Sequence, residues 1–320
     1  MSADPIRRIA DAVLYEGYVL WPYRRSALKN QRRWTFGGVY PCEWSARAPD
    51  DPAVMQTECL LEASDPSVDV RVRFLHVVAR RLYDGHGRLV DELEAGGERH
   101  LSWDEASERE VVAAPGNTAL TVAAGSERQQ LPDGAGWIER EWERLAGRIE
   151  LTTRELRKGL HRIRVRVENT TPAGVGDRQQ ILRRTLCSTH TVLRAGAGEF
   201  VSSTDPPAEL AAEAKACENV GTWPVLVGEA PDRSTLLSSP IILPDYPEIA
   251  TESPGDMFDG GEIDELLILN VLALTDEERE EMRASDPRTR ELLERCAGLP
   301  GEHLLKLHGA VRDFQPRRGR

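Results

Sequence analysis

Two stretches of this chain alternate apolar and charged residues without a break: Val68-Asp69-Val70-Arg71-Val72-Arg73-Phe74 and Ile163-Arg164-Val165-Arg166-Val167. A period of two sets the apolar side chains on one face of an extended strand and Asp69, Arg71, Arg73, Arg164 and Arg166 on the other. That is the pattern of a half-buried strand and not of a helix. The second stretch runs into Glu168-Asn169-Thr170-Thr171-Pro172, a turn-forming exit. About a dozen residues before it, Gly147-Arg-Ile-Glu-Leu151 alternates in the same way, so the two read as antiparallel neighbours. Just upstream the signal is ambiguous. Ile138, Trp142, Leu145 and Ile149 fit a helical face, whereas Leu145, Gly147, Ile149 and Leu151 fit a strand, and the strand is favoured for the second half.

Ser188–Val201 and Trp223–Val227 add short apolar segments bounded by Gly and Pro, read as further strands. Ala208–Cys217, rich in Ala and Glu, reads as one short helix. At the N-terminus Ile6, Ile9, Ala10 and Val13 share a face, giving a short helix to Leu14. Towards the C-terminus the pattern becomes helical. Thr275-Asp-Glu-Glu278 is a capping box opening a helix to about Ala284. Asp286-Pro287 starts a second that closes before Gly298, and Glu302–Val311 makes a third. The predicted fold class is therefore α+β: an antiparallel β-rich core, either a sandwich or an open barrel, with a helical C-terminal segment. Three regions follow: an N-terminal segment over 1–45 packed on the core, the core over 46–235, and a strap, acidic segment and helices over 236–320. All three can belong to one domain.

At 320 residues the chain can bury a sizeable core, and 40% apolar with 29% charged residues is ordinary for a folded protein. A net charge of −12 argues against a general nucleic-acid binder, which needs a concentrated basic face. Cys42, Cys59, Cys187, Cys217 and Cys296 are odd in number and never form a C-x-x-C pair, so reduced thiols are expected. The longest apolar run, Leu266–Leu274, is too short to span a bilayer. Met1–Arg8 opens no secretory signal, so a cytoplasmic location is expected.

Searches for chemistry return little. The seven histidines are dispersed and make no H-x-x-x-H pair. Cys187 and His190 lie close in sequence, but positions three apart on a strand point to opposite faces, which argues against a thiol–imidazole dyad. Asp256-Met-Phe-Asp259-Gly-Gly-Glu262-Ile-Asp264 is dense in carboxylates without the spacing of an EF-hand loop. Gly196-Ala-Gly198 lacks the third glycine of the dinucleotide fingerprint, and neither a phosphate loop nor a G-x-S-x-G elbow occurs. No catalytic residue, metal or cofactor is assigned.

What stands out is composition. Residues 1–34 carry seven Arg or Lys against three acids, while 251–300 carry fourteen acids against five Arg. In the first, Trp21, Tyr23, Arg24, Lys29, Asn30, Arg32, Arg33 and Trp34 interleave cations with aromatic rings, the residue types that dominate binding hot spots. In the second, Asp256, Asp259, Glu262 and Asp264 present carboxylates. Between them Ser239-Pro-Ile-Ile-Leu-Pro-Asp245-Tyr246-Pro247 is an extended strap whose Asp245 and Tyr246 project polar tips. These residues are the candidate partner-binding set. Solvated faces of opposite sign are the plainer alternative.

Tyr15-Glu-Gly-Tyr-Val-Leu-Trp-Pro-Tyr-Arg24 with Lys29-Asn30, and Ser239–Ile249 leading into Pro254-Gly-Asp256 and Asp259–Asp264, resemble an uncharacterised family encoded beside high-affinity [NiFe] hydrogenases. By order of motifs the likeness spans most of the chain. The resemblance implies a non-enzymatic accessory or interaction protein in hydrogenase assembly, maturation or electron-transfer partnering, with a hydrogenase subunit or maturation factor as partner. It supplies no catalytic residues. The chain has neither the paired cysteines of an iron–sulfur carrier nor the His-rich tract of a nickel store. Two other classes remain open: an enzyme whose Arg and carboxylate groups are dispersed in sequence, and a carbohydrate-binding β-sandwich with tryptophans as a stacking platform.

Overall fold

Both alternating stretches are strands of a single sheet. A computed structural model of the chain describes residues 9–11, 14, 37–247 and 280. In chain order the strands are β1 (Val54–Asp84), β2 (Leu89–Val90), β3 (Glu92–Ala95), β4 (Glu98–Leu101), β5 (Trp103–Ala113), β6 (Gly116–Val122) and β7 (Gly125–Gln130). They continue with β8 (Gly136–Trp142), β9 (Leu145–Arg157), β10 (Leu160–Asn169), β11 (Cys187–Phe200), β12 (Trp223–Leu226) and β13 (Thr235–Ser239).

β1 is 31 residues long and serves as the spine. Leu61 and Glu62 pair with β10 and with β11 at once, so those strands take opposite edges. Further on, Val70–Arg73 pair with β11 and β5, and Ala79 and Arg80 with β5 and β8. β5 therefore succeeds β10 on one edge, and β8 succeeds β11 on the other. The sheet extends as β12-β13-β11-β1-β10-β9-β6, and the short β5–β6 connection leads the far end back towards β1. Every pairing is antiparallel, as predicted, and Leu151 faces Val165 in the register the alternation required. Among the described residues, only a separate hairpin of β3 and β4 stands outside this sheet.

Because the sheet curls, the inward residues of its two ends meet. Met55, Leu61, Val72, Phe74, Leu120, Ile149, Val165 and Leu193 form one apolar core, all nearly or fully buried. Truncating any of the larger ones to Ala would cost about 2–5 kcal/mol. The outer face around β11 receives Ala10 and Leu14. Ala10 packs on Val192, Val225, Val227 and Leu237, and Leu14 joins Leu75, Val77, Tyr40, Ile181, Leu182 and Cys187. Residues 9–11 and 14 are helical, as the sequence pattern requires.

Ala208–Leu210 and Ala211–Lys215 supply the expected short helix after β11. Ser188–Val201 and Trp223–Val227 match β11 and β12 closely. The boundary drawn after residue 235 falls inside β13. Of the C-terminal helical segment only Glu280 is described, and it is helical; the helices read over 275–284, 286–298 and 302–311 otherwise lie outside the described residues.

Candidate functional site

Tyr40 follows Val39, which bridges to Leu186, and its amide donates to the Pro52 carbonyl at 2.8 Å. Asp51 immediately precedes Pro52. On the neighbouring segment Asp177 caps a helix, Arg178–Leu182, by accepting from the Gln180 amide at 2.9 Å. That cap holds Arg178 at the helix start, from where its guanidinium reaches Asp51 through two bonds, 2.8 Å to Oδ1 and 3.2 Å to Oδ2. Arg178 also donates to the Tyr40 hydroxyl at 2.8 Å and lies 5.6 Å from that ring's centre. Trp44, on the short helix Cys42–Ser45, donates its indole N–H to Asp51 at 2.9 Å.

The electrostatics follow. Burial on its own would raise the Asp51 carboxyl, but hydrogen bonds from Arg178 and Trp44 outweigh it and hold the group below its ordinary value. Burial pushes the Tyr40 hydroxyl well up, with Asp51 adding to the shift and Arg178 opposing it, so Tyr40 stays neutral. The corner is an internally matched ion pair on an aromatic ring, rigid and charge-neutral.

Beside it opens a cleft of about 420 Å³ where the start of β1, the start of β12 and the end of β13 converge. Its apolar wall includes Met55, Pro52 and Pro240, and its polar margin includes Asp50, Asp51 and Arg178. Gly37 closes one side. Its φ of +60° and a Cβ that would lie 2.5 Å from Pro240 admit only glycine there. Trp223 stands at the mouth with 45% of its surface exposed. Asp50 is exposed as well.

Of the candidate partner-binding residues, Trp21, Tyr23, Arg24, Lys29, Asn30, Arg32, Arg33, Trp34, Asp256, Asp259, Glu262 and Asp264 lie outside the described residues. Asp245 and Tyr246 are described, and they work together. One Asp245 oxygen accepts from Ser202 at 2.5 Å and Thr204 at 2.7 Å, and the other from the Leu226 amide at 2.8 Å. The Tyr246 amide donates to the Leu226 carbonyl at 2.7 Å. The strap thus satisfies both backbone groups of Leu226 on β12, the last strand at that end of the sheet, which would otherwise remain open to pairing with another chain. The predicted extended strap has a structural task at these two residues.

The opposite-face expectation for Cys187 and His190 is corrected. Cys187 is opposite Leu75 but His190 is opposite Arg73, three residues answering to two, so a β-bulge intervenes with Ser188 at φ +50°. Both side chains therefore lie on one side of the sheet. They still form no dyad. The Cys187 thiol donates to the Leu182 and Thr185 carbonyls, while His190 Nδ1 donates to the Ser188 carbonyl at 3.2 Å. Burial, with Arg73 adjacent, pushes His190 down to about 3. Arg73 itself meets Asp11 at 2.5 Å and Glu108 at 3.5 Å.

A second charged region surrounds the far half of β1. His76 is fully buried, and burial with nearby Arg109 pushes it down to about 4. Backbone groups of Arg183 and Glu143 lie near enough to favour its charged form without meeting hydrogen-bond geometry. Arg80 and Arg140 share Glu105, and Arg81 and Arg183 share Asp104. The tryptophans there are occupied: Trp137 stacks on Tyr83 at 5.1 Å beneath Arg128, and Trp142 donates to the Ala123 carbonyl. Among the described residues no three His, Cys, Asp or Glu side chains are grouped to hold a metal ion. No helix among them is long and apolar enough to cross a membrane.

Sequence reasoning missed Tyr40, Asp50, Asp51, Arg178 and Trp223. They are spread over 184 positions, from 40 to 223, and the one local signal was the helix cap at Asp177 that orients Arg178. No protein-family model matches the chain, and no curated protein matches it.

Proposed function

We propose that this chain is a non-enzymatic accessory protein that docks a protein partner beside the Tyr40–Asp51–Arg178 corner, the partner being a [NiFe] hydrogenase subunit or maturation factor. One observation carries the docking part. Leu14 and Tyr40 belong to the same buried cluster, so the residues flanking the stretch between them are held at one place. The sequence between them holds Trp21, Tyr23, Arg24, Lys29, Asn30, Arg32, Arg33 and Trp34. Long connections with closely tied ends on a rigid scaffold are where binding residues concentrate. Arginine and aromatic side chains supply hot-spot energy. The acidic residues Asp256, Asp259, Glu262 and Asp264 provide a second surface of opposite sign in this reading. The hydrogenase assignment rests on the motif resemblance at Tyr15–Asn30 and Ser239–Asp264.

The test is co-purification from native lysate at low salt. The tagged chain is expected to bring down a hydrogenase subunit or maturation factor in stoichiometric amount, and Arg24→Ala combined with Trp34→Ala is expected to release it. Recovery of no hydrogenase component, or undiminished recovery with the double variant, would contradict the proposal.

A further inference from the structure

We infer that the cleft between Trp223 and the Tyr40–Asp51–Arg178 corner is a seat for a cationic side chain, lysine or arginine, presented by a partner protein. Within the cleft, charge is nearly but not wholly matched. Arg178 and Asp51 cancel through their paired bonds. The Asp50 carboxylate, one residue away on the same margin, takes part in no ion pair or hydrogen bond among the described residues, so the described lining keeps one net negative charge.

Trp223 offers the second half of the recognition. Its ring engages no other ring and no cation, in contrast to Trp44, Trp137 and Tyr40, each of which lies beneath an arginine. An aromatic face and a free carboxylate around an apolar-walled recess are the elements that hold ammonium and guanidinium groups. The methylene stem of such a side chain would lie along Met55 and Pro240, with its head between ring and carboxylate. A carboxylate or phosphate is disfavoured, because the one cation of the described lining, Arg178, is already committed to Asp51 and Tyr40. The recess is also prebuilt: Gly37, Pro52 and Pro240 fix its backbone, so little ordering is needed on binding.

The inference rests on the docking reading but is tested apart from it. The full chain, with its tryptophans ¹⁵N-labelled, is titrated with Nα-acetyl-lysine methylamide, Nα-acetyl-arginine methylamide and the neutral Nα-acetyl-norleucine methylamide. Of the seven indole signals, the one that disappears in Trp223→Phe is expected to shift saturably with the two cations. The norleucine amide is expected to bind at least about fivefold more weakly. Asp50→Asn is expected to weaken the cations by about two- to fivefold and to remove their salt dependence. Both residues are exposed, so unchanged thermal midpoints will confirm that the variants fold. Equal binding of the norleucine amide, unchanged affinity in Asp50→Asn, or no shift at the Trp223 indole would each overturn the cation seat. Amide binding without hydrogenase co-purification would overturn the partner assignment alone, and co-purification without amide binding would overturn the seat alone.

Discussion

At the far end of β1 the nearly buried guanidinium of Arg80 meets Glu105 at 3.5 Å, Glu105 takes Arg140 at 2.7 Å, and on the opposite face Asp104 takes both Arg81 and Arg183. At the near end Arg178 and Asp51 are matched just as closely, yet Asp50 and Trp223 beside them have no partner. Both regions concentrate charge and aromatic rings, so composition does not distinguish them. What distinguishes them is whether the carboxylates are paired: in the far region Asp104 and Glu105 each hold two arginines, although the buried His76 ring and the Trp137 indole N–H have no hydrogen-bond partner among the described residues. The far region is a polar interior that holds β5, β8 and β1 together, and the near one keeps an unspent carboxylate and ring at a cleft.

Removing Glu105 has the largest expected effect. Glu105→Ala removes the buried carboxylate that Arg80, only 5% exposed, and Arg140 share, and thermal or urea unfolding should show a loss of about 3–5 kcal/mol. A loss under 1 kcal/mol would mean that the far region is not the structural one.

Acid should also act on the interior. His190 and His76 are held at about 3 and about 4, below the ordinary 6.5, so between those limits the unfolded chain binds protons the folded chain refuses. Stability therefore rises with pH across that window and is lost as pH falls from 6.5, with a slope up to about 1.4 kcal/mol per pH unit for each histidine. Asp51, lowered in the fold, adds a loss of the same sign below its ordinary value of 3.8. Urea midpoints from pH 7 to 4 measure the slope, and His190→Asn should flatten it.

Smaller effects belong to the near corner. Asp51→Ala should cost about 1–2 kcal/mol, less than Glu105→Ala, because Arg178 is 41% exposed and water can replace the lost carboxylate. Trp223→Ala, which removes a ring more than half buried, should cost about 1–2 kcal/mol, and Asp50→Asn should change stability by no more than about 0.5 kcal/mol while still weakening cation binding. Chemical denaturation of the four variants side by side ranks them.

Legibility in the sequence followed the same divide. Val68–Val72 and Ile163–Val167 turn their apolar side chains to the core and their charged ones outward, so their alternation was plain and the antiparallel β-rich class followed from it. Leu75–Leu82 is buried on both faces, with Leu75 and Val77 on one and His76 and Arg80 on the other, and its unbroken apolar and basic run carries no period. The bulge at Ser188 inverted the expected facing of Cys187 and His190, since one inserted residue changes a strand's parity and leaves no reliable mark in sequence. Asp245 and Tyr246 were visible as an anchored strap, although their attachment to Leu226 required the fold. The cleft assembles residues from four separate segments, which no local pattern links.

Hydrogen–deuterium exchange of the full chain with and without its co-purified partner puts the central claim at most direct risk, because it reads both regions in one experiment. The account predicts new protection over residues 37–55 and 221–224, flanking the cleft, and unchanged exchange in Trp103–Ala113 and Gly136–Trp142. Protection confined to those two strands, or none around the cleft, would contradict it.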